Sequence, residues 1–404
     1  MISKTVPIAA AATALVGLLL LNPAMAQKKY GPGVTDTEIT IGQTMPYSGP
    51  VSAYATIGKA DAAYIAMINA EGGINGRKIK LISLDDGYSP PKTVEQTRKL
   101  VEEDNILLDF NPLGTPTNTA IHRYLNSKKV PQLFVATGAT KWGDPKEFPW
   151  TMGWQPSYQT EGRLFAKYLL EHEPNAKIGV LYQDDDYGKD YLKGLKDGLG
   201  SKAAKMIVKE ESYETTDTTI DQQIISLQSS GANVFYDVTT PKFAAQAINK
   251  AYDLGWKPLH YLNSVSASVA AVLRPAGLDK SRGIVTAEYL KDPTDPQWKN
   301  DAAYKQWSAW MKKYYPDGDQ SDAFNVYGYA VTATLVQVLK QCGNDLTREN
   351  VMKQAAHLDF HAPMLLPGIV VKTSPTHFYP IDELQLAKFN GQTWVAMGHV
   401  LAMK

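Results

Sequence analysis

The chain has 404 residues, with 41 lysines plus arginines against 41 aspartates plus glutamates, a formal net charge of zero. Apolar residues make up 44% and charged residues 20%, ordinary values for a globular protein, and the balanced charge offers no footing for nucleic acid or an anionic membrane. Domains cluster near ~100–150 residues, so this length asks for two cores rather than one.

The N-terminus carries an export signal. Lys4 gives a basic start, an apolar run follows from Ile8 to Leu21, Asn22-Pro23 breaks it, and Ala24-Met25-Ala26 forms a small-residue cleavage site. The run is shorter than the ~18 residues a spanning helix needs. Residues 1–26 are therefore expected to be a signal peptide, leaving Gln27 first. The only cysteine, Cys342, lies far from that site, so neither a lipid anchor nor an internal disulfide is expected. The protein should act outside the cytoplasm, free of the membrane.

Beyond the signal, short apolar runs alternate with helical stretches. The spacing predicts strands at 38–44, 79–85, 106–112, 131–137, 177–183, 232–238 and 258–264, with amphipathic helices between them. Strand then helix, repeated, implies an α/β fold with parallel sheets covered on both faces. Thr115-Pro116 and Thr240-Pro241 each put a capping hydroxyl before a proline suited to a first helical turn. Around Gly283 the pattern changes: a strand at 282–290 leads into a polar stretch and two long helices. A terminal meander follows at 368–374, 383–390 and 393–400, with Asn390-Gly391 as a hairpin turn.

Enzyme signatures are missing: no G-x-S-x-G, H-E-x-x-H, phosphate-binding loop or dinucleotide fingerprint. His357 and His361 stand four apart but without a third ligand, and Asp184-Asp185-Asp186 reads as a helix cap, so neither a metal nor a cofactor is expected. The strand ends are more informative, because ligands of open α/β sheets sit in the crevice there. Small polar loops fall at those ends: Ser48-Gly49, Gly114-Thr115, Thr137-Gly138-Ala139-Thr140 and Asn263-Ser264.

The stretch from MPYSGPVSAY through INAEGGINGRKIKLISLDDGYSPP, with the later QDDDYGKDYLKGLKDGL, resembles the leucine/isoleucine/valine-binding family, type I periplasmic solute-binding proteins of ABC importers. The likeness runs from about Glu38 to Val395. It implies two doubly wound parallel-sheet lobes joined by three crossing segments, near Thr151–Gln155, Thr286–Lys291 and Leu358–Pro363. Lobe one would comprise 28–152 and 291–358, and lobe two 153–290 and 359–404, with a ligand cleft between them. It also implies a periplasmic monomer that captures a small molecule, breaks no bond, and docks on permease subunits. A receptor of the same fold serving a signalling partner stays open as the alternative.

By the same resemblance, ligand contacts would come from Ser48, Gly49 and Tyr54 of the S-G-P-x-x-x-Y pattern, from Gly114 and Thr115, and from Thr137, Gly138, Ala139 and Thr140. Tyr187, Tyr236, Asp237, Asn263 and Ser264 would close over the other side. The family's amino-acid binders place a glutamate where this chain reads Asn263-Ser264-Val265-Ser266, without an acid. An ammonium in a closed cleft needs a partner, and Asp237 is the substitute at hand. Trp142, Trp150 and Trp154 cluster near the first crossing, with Trp142 the one placed at the ligand. Together these features favour an aromatic or other carboxylic acid over a branched-chain amino acid.

Overall fold

The computed structural model describes residues 1–2 and 28–402. The export-signal expectation falls almost wholly outside them. Two sheets organise the chain. The first has five parallel strands in the spatial order Lys78–Asp85, Glu38–Met45, Asp109–Phe110, Gln132–Val135 and Thr151–Gly153. Its second strand, EITIGQTM, is buried along nearly its whole length, because helices cover both faces. Leu100, Ile106, Ile121, Leu125 and Val130 fill the layer under helices Pro90–Glu102 and Thr115–Ser127.

On the opposite face, helix Ala55–Ala70 packs against the late helix Ala323–Cys342. The fit is close: a Cβ on Gly328 would stand 2.7 Å from that of Ala60. A chain segment some 260 positions downstream therefore completes the first lobe (323 − 60 = 263). Cys342 ends that helix as a buried thiol, pushed up to about 12 by burial, and it packs rather than reacts.

The second sheet has seven strands in the order Trp394–Ala402, Glu383–Phe389, Val285–Glu288, Leu259–Leu262, Val234–Val238, Ile178–Gln183 and Ile207–Tyr213. Five are parallel, and the two C-terminal strands add antiparallel at one edge. The strand at Ile207–Tyr213 was not expected. It forms the other edge, its first five residues alternate between half-buried and exposed, and its Lys209-Glu210-Glu211 centre hides the apolar signal. The first strand expected in the terminal meander lies apart: Val371–Lys372 pairs with Asp359–Phe360 in a small ribbon of its own.

Three segments carry the chain between sheets. The first follows Thr151–Gly153 and enters helix Tyr158–His172. The second and third run side by side, with the Lys291 amide donating to Met364 O and the Leu366 amide to Tyr289 O. The third segment reaches the second sheet only at Glu383, later than the 358–363 expected, because the small ribbon intervenes. Both proline-led helices form, but neither threonine hydroxyl caps its own helix. Thr115 Oγ1 pairs with Thr137 Oγ1 at 2.5 Å, and Thr240 Oγ1 faces the Tyr213 hydroxyl at 3.4 Å. Asp185 does cap, its Oδ1 accepting from the Tyr187 and Gly188 amides at 2.9 and 3.3 Å. Among the described residues no cluster of three or more His, Cys, Asp or Glu is placed to hold a metal, and no helix is long and apolar enough to cross a membrane.

Candidate ligand site between the lobes

Where the two lobes meet they line a partly open cavity of about 110 Å³. That is of the order of the ~150 Å³ apolar cavity that takes up benzene. Its walls follow the C-terminal ends of strands in both sheets: Tyr88, Gly114 and Ala136 from one, and Tyr187, Thr240 and Ser264 from the other. Rings dominate the lining, from Tyr54, Tyr158, Tyr289, Phe324 and Tyr327 as well as Tyr88 and Tyr187.

Of the residues singled out in the sequence, Tyr54, Gly114, Thr115, Tyr187 and Ser264 line this cavity. Gly114 has φ +103°, and its missing Cβ leaves room for the Tyr88 ring, which would lie 2.4 Å away. Thr115 opens helix Thr115–Ser127, whose first turn leaves backbone N–H groups without helical partners. The Tyr187 hydroxyl donates to Thr239 O at 3.1 Å and accepts from Asn263 Nδ2 at 2.7 Å. Asn263 is thus a support for Tyr187 rather than part of the wall.

The other expected positions lie behind the cavity or away from it. Ser48 turns back on the strand end, its amide and hydroxyl donating to Asp85 at 3.0 and 2.7 Å. Gly49, at φ +85°, sits against the Gly87 carbonyl. Thr137 backs Thr115 through the hydroxyl pair already described. Gly138 admits the Tyr158 ring, which a Cβ there would meet at 2.7 Å. Ala139 is buried, and the Thr140 amide and hydroxyl both donate to Asp190 Oδ2 at 2.8 Å.

Trp142 is only 1% exposed and meets the His122 ring edge-on at 5.6 Å, in the core of the loop. Trp154 is fully buried at the crossing, its indole N–H on Thr334 Oγ1 and its ring edge-on to Tyr327 at 5.3 Å. Tyr236 packs nearly parallel to both Phe165 and Tyr261 inside the second lobe, at 5.5 and 5.3 Å. Asp237 is held at 3.0 Å by His260 Nε2 and at 2.7 Å by the Thr239 hydroxyl, so its carboxylate is already partnered in the core. Aromatic lining therefore exists, but tyrosines supply it, not the tryptophans.

Two acids escaped the sequence reading. Glu161 is 2% exposed and accepts four hydrogen bonds: from the Ser264 amide and hydroxyl and from Tyr191 and Tyr261. Burial pushes its carboxyl up while these donors pull it back. It clamps the Ser264 loop to helix Tyr158–His172. Glu288, at the end of its strand, lines the cavity.

Direct bonds join the lobes around the cavity. The Tyr54 hydroxyl donates to Val265 O at 2.9 Å, and the Ser268 hydroxyl to Asp322 Oδ1 at 2.8 Å. Lys141 reaches Asp186 at 2.7 Å, and Arg274 reaches Asp319 at 3.0 Å. The lobes are closed on one another.

The pattern of the periplasmic binding protein family matches residues 38–393. "Leu/Ile/Val-binding protein homolog 1" of Brucella suis biovar 1 (strain 1330) is 25% identical over 319 residues, covering 77% of this chain and 81% of that relative. Among solved structures, a branched chain amino acid ABC transporter from Thermus thermophilus with bound valine superposes with TM-score 0.81 at 15% identity, over 91% of this chain and 97% of that one. A fatty acid ABC transporter substrate-binding protein from Thermomonospora curvata gives TM-score 0.78 at 22% identity, over 93% and 95%. These two likenesses speak for the fold. The family match spans most of the chain and agrees with the two lobes and the cavity between them: the chain belongs to the periplasmic binding protein family.

Proposed function

We propose that this protein is the extracytoplasmic solute receptor of an ABC importer. It captures a small organic carboxylate with an aromatic or branched aliphatic body, closes its lobes over it, and delivers it to membrane permease subunits. The moving units are residues 28–152 with 291–358, and 153–290 with 359–404. The observation that carries this reading is the cavity itself, built from strand ends of both lobes, so that an occupant touches both and favours closure.

The ring-rich lining suits an apolar body. A cavity of about 110 Å³ suits a body of roughly ring size. The amides opening helix Thr115–Ser127 suit a carboxylate. The relatives' names point to one chemistry: leucine, isoleucine, valine and fatty acid each join a carboxylate to an apolar body.

A thermal-shift screen on unfolded and refolded protein tests this. Aromatic acids, branched aliphatic acids and amino acids would be compared with sugars and dicarboxylates. A true ligand at ~100 times its Kd stabilises by about 2.7 kcal/mol, a shift of several degrees. A shift from sugars alone would contradict the ligand class.

A further inference from the structure

Resting on the receptor reading above, we infer that Glu288 is the residue that selects the ligand, by accepting a protonated amine. Glu288 lines the cavity, half-buried, at the end of strand Val285–Glu288. Among the described residues no donor reaches its carboxylate: its surroundings comprise burial and the two acids Asp292 and Asp295.

The neighbouring charges already have partners. Lys291, also on the cavity wall, gives its ammonium to Asp301 Oδ1 at 2.8 Å. Asp292 Oδ1 accepts from the Thr294 amide at 2.8 Å, and Asp295 Oδ1 from the Gln297 amide at 2.9 Å. One corner of the cavity is therefore lined by two carboxyl groups, Glu288 and Asp292, with Asp295 close behind them, and the Lys291 ammonium on the same wall is turned away to Asp301. A carboxylate partly withdrawn from water and without a donor is costly, and a cation is what relieves it. Burial, with repulsion from Asp292 and Asp295, holds the Glu288 carboxyl well above the usual range, and an arriving ammonium opposes both effects. An anionic group at this corner would add to the repulsion instead. The acid absent after strand Leu259–Leu262 is thus supplied from the next strand of the same sheet.

The test uses matched probes on the refolded full chain: L-phenylalanine, 3-phenylpropanoate and phenethylamine, and L-leucine, 4-methylpentanoate and isopentylamine. Affinities are measured by titration calorimetry for wild type, Glu288→Gln and Glu288→Asp. Circular dichroism and the unliganded melting point confirm that the variants fold. At least one amine-bearing probe should bind wild type at least tenfold more tightly than its amine-free acid. Glu288→Gln should erase that preference, and Glu288→Asp should keep it. If the acids bind as well as the amines, or the preference survives Glu288→Gln, the assignment of Glu288 fails and the receptor reading stands. Failure of every amine to bind also overturns the assignment; if the acids and a wider solute screen are silent as well, the receptor reading falls with it.

Discussion

The Ser268 hydroxyl of one lobe donates to Asp322 Oδ1 of the other at 2.8 Å, and both side chains are buried. The same Asp322 oxygen caps helix Ala323–Cys342 through the Phe324 amide. The lobe contact and the helix cap thus share one carboxylate, which fixes where the second lobe lands on the first.

Ser268→Ala should therefore weaken ligand binding through closure. A hydrogen bond to a charged group contributes about 1.5–3 kcal/mol, and this one exists only when the lobes meet. The expected result is a rise in Kd of roughly tenfold or more, read by calorimetry, with a smaller loss of unliganded stability because the same hydroxyl also accepts from the Ala271 amide. An unchanged Kd would mean that closure does not depend on this contact.

Tyr187 separates ring from hydroxyl. Tyr187→Ala would open space in the lining and cost about 3–5 kcal/mol as a large-to-small change, which mixes binding with stability. Tyr187→Phe keeps the ring but leaves Asn263 Nδ2 without its partner. That should cost about 1–3 kcal/mol and lower affinity less than Tyr187→Ala does. Chemical denaturation together with ligand titration separates the two effects.

Glu161→Gln should destabilise the second lobe by roughly 2–4 kcal/mol, because one carboxylate accepts four donors and an amide nitrogen would face some of them. The melting point should fall by several degrees. An unchanged melting point would show that the Ser264 loop needs no such clamp.

Asp109 gives a pH prediction. It is fully buried, neither carboxyl oxygen has a hydrogen-bond partner among the described residues, and burial with Asp86 nearby pushes it up to about 8. The folded value lies above the unfolded one, so stability from this group is fully present below the unfolded value of about 3.9 and is lost as pH rises toward 8. The loss approaches about 1.4 kcal/mol per pH unit in that window. Asp109→Asn should remove this slope and be the more stable protein at pH 7–8. Urea unfolding of both proteins from pH 4 to pH 8 decides it; parallel curves would contradict it.

How far the sequence reaches differs between fold and site. Short apolar, β-branched runs bounded by turns located most strands, because a parallel strand covered on both faces, such as Glu38–Met45, is kept from water along nearly its whole length. The edge strand Ile207–Tyr213 has one solvated side and no such signal. Loop chemistry marked Gly114, Thr115 and Ser264, and the family resemblance added Tyr54 and Tyr187, all of which line the cavity. It gave no way to tell them from Ser48 or Thr140, which look alike in sequence and hydrogen-bond to Asp85 and Asp190 instead. The conspicuous tryptophans were misleading, since Trp142 and Trp154 pack the loop and the crossing. Tyr327 and Glu288 sit inside a helix and a strand that read as structural, and only their meeting at one cavity gives them a role.

The most direct test of a receptor that binds without chemistry is to titrate the refolded protein with the best compound from the screen and recover that compound afterwards for mass spectrometry. The account predicts saturable binding of one molecule per chain and recovery of the compound unchanged. Recovery of a converted product, or the absence of any saturable small-molecule ligand, would contradict it.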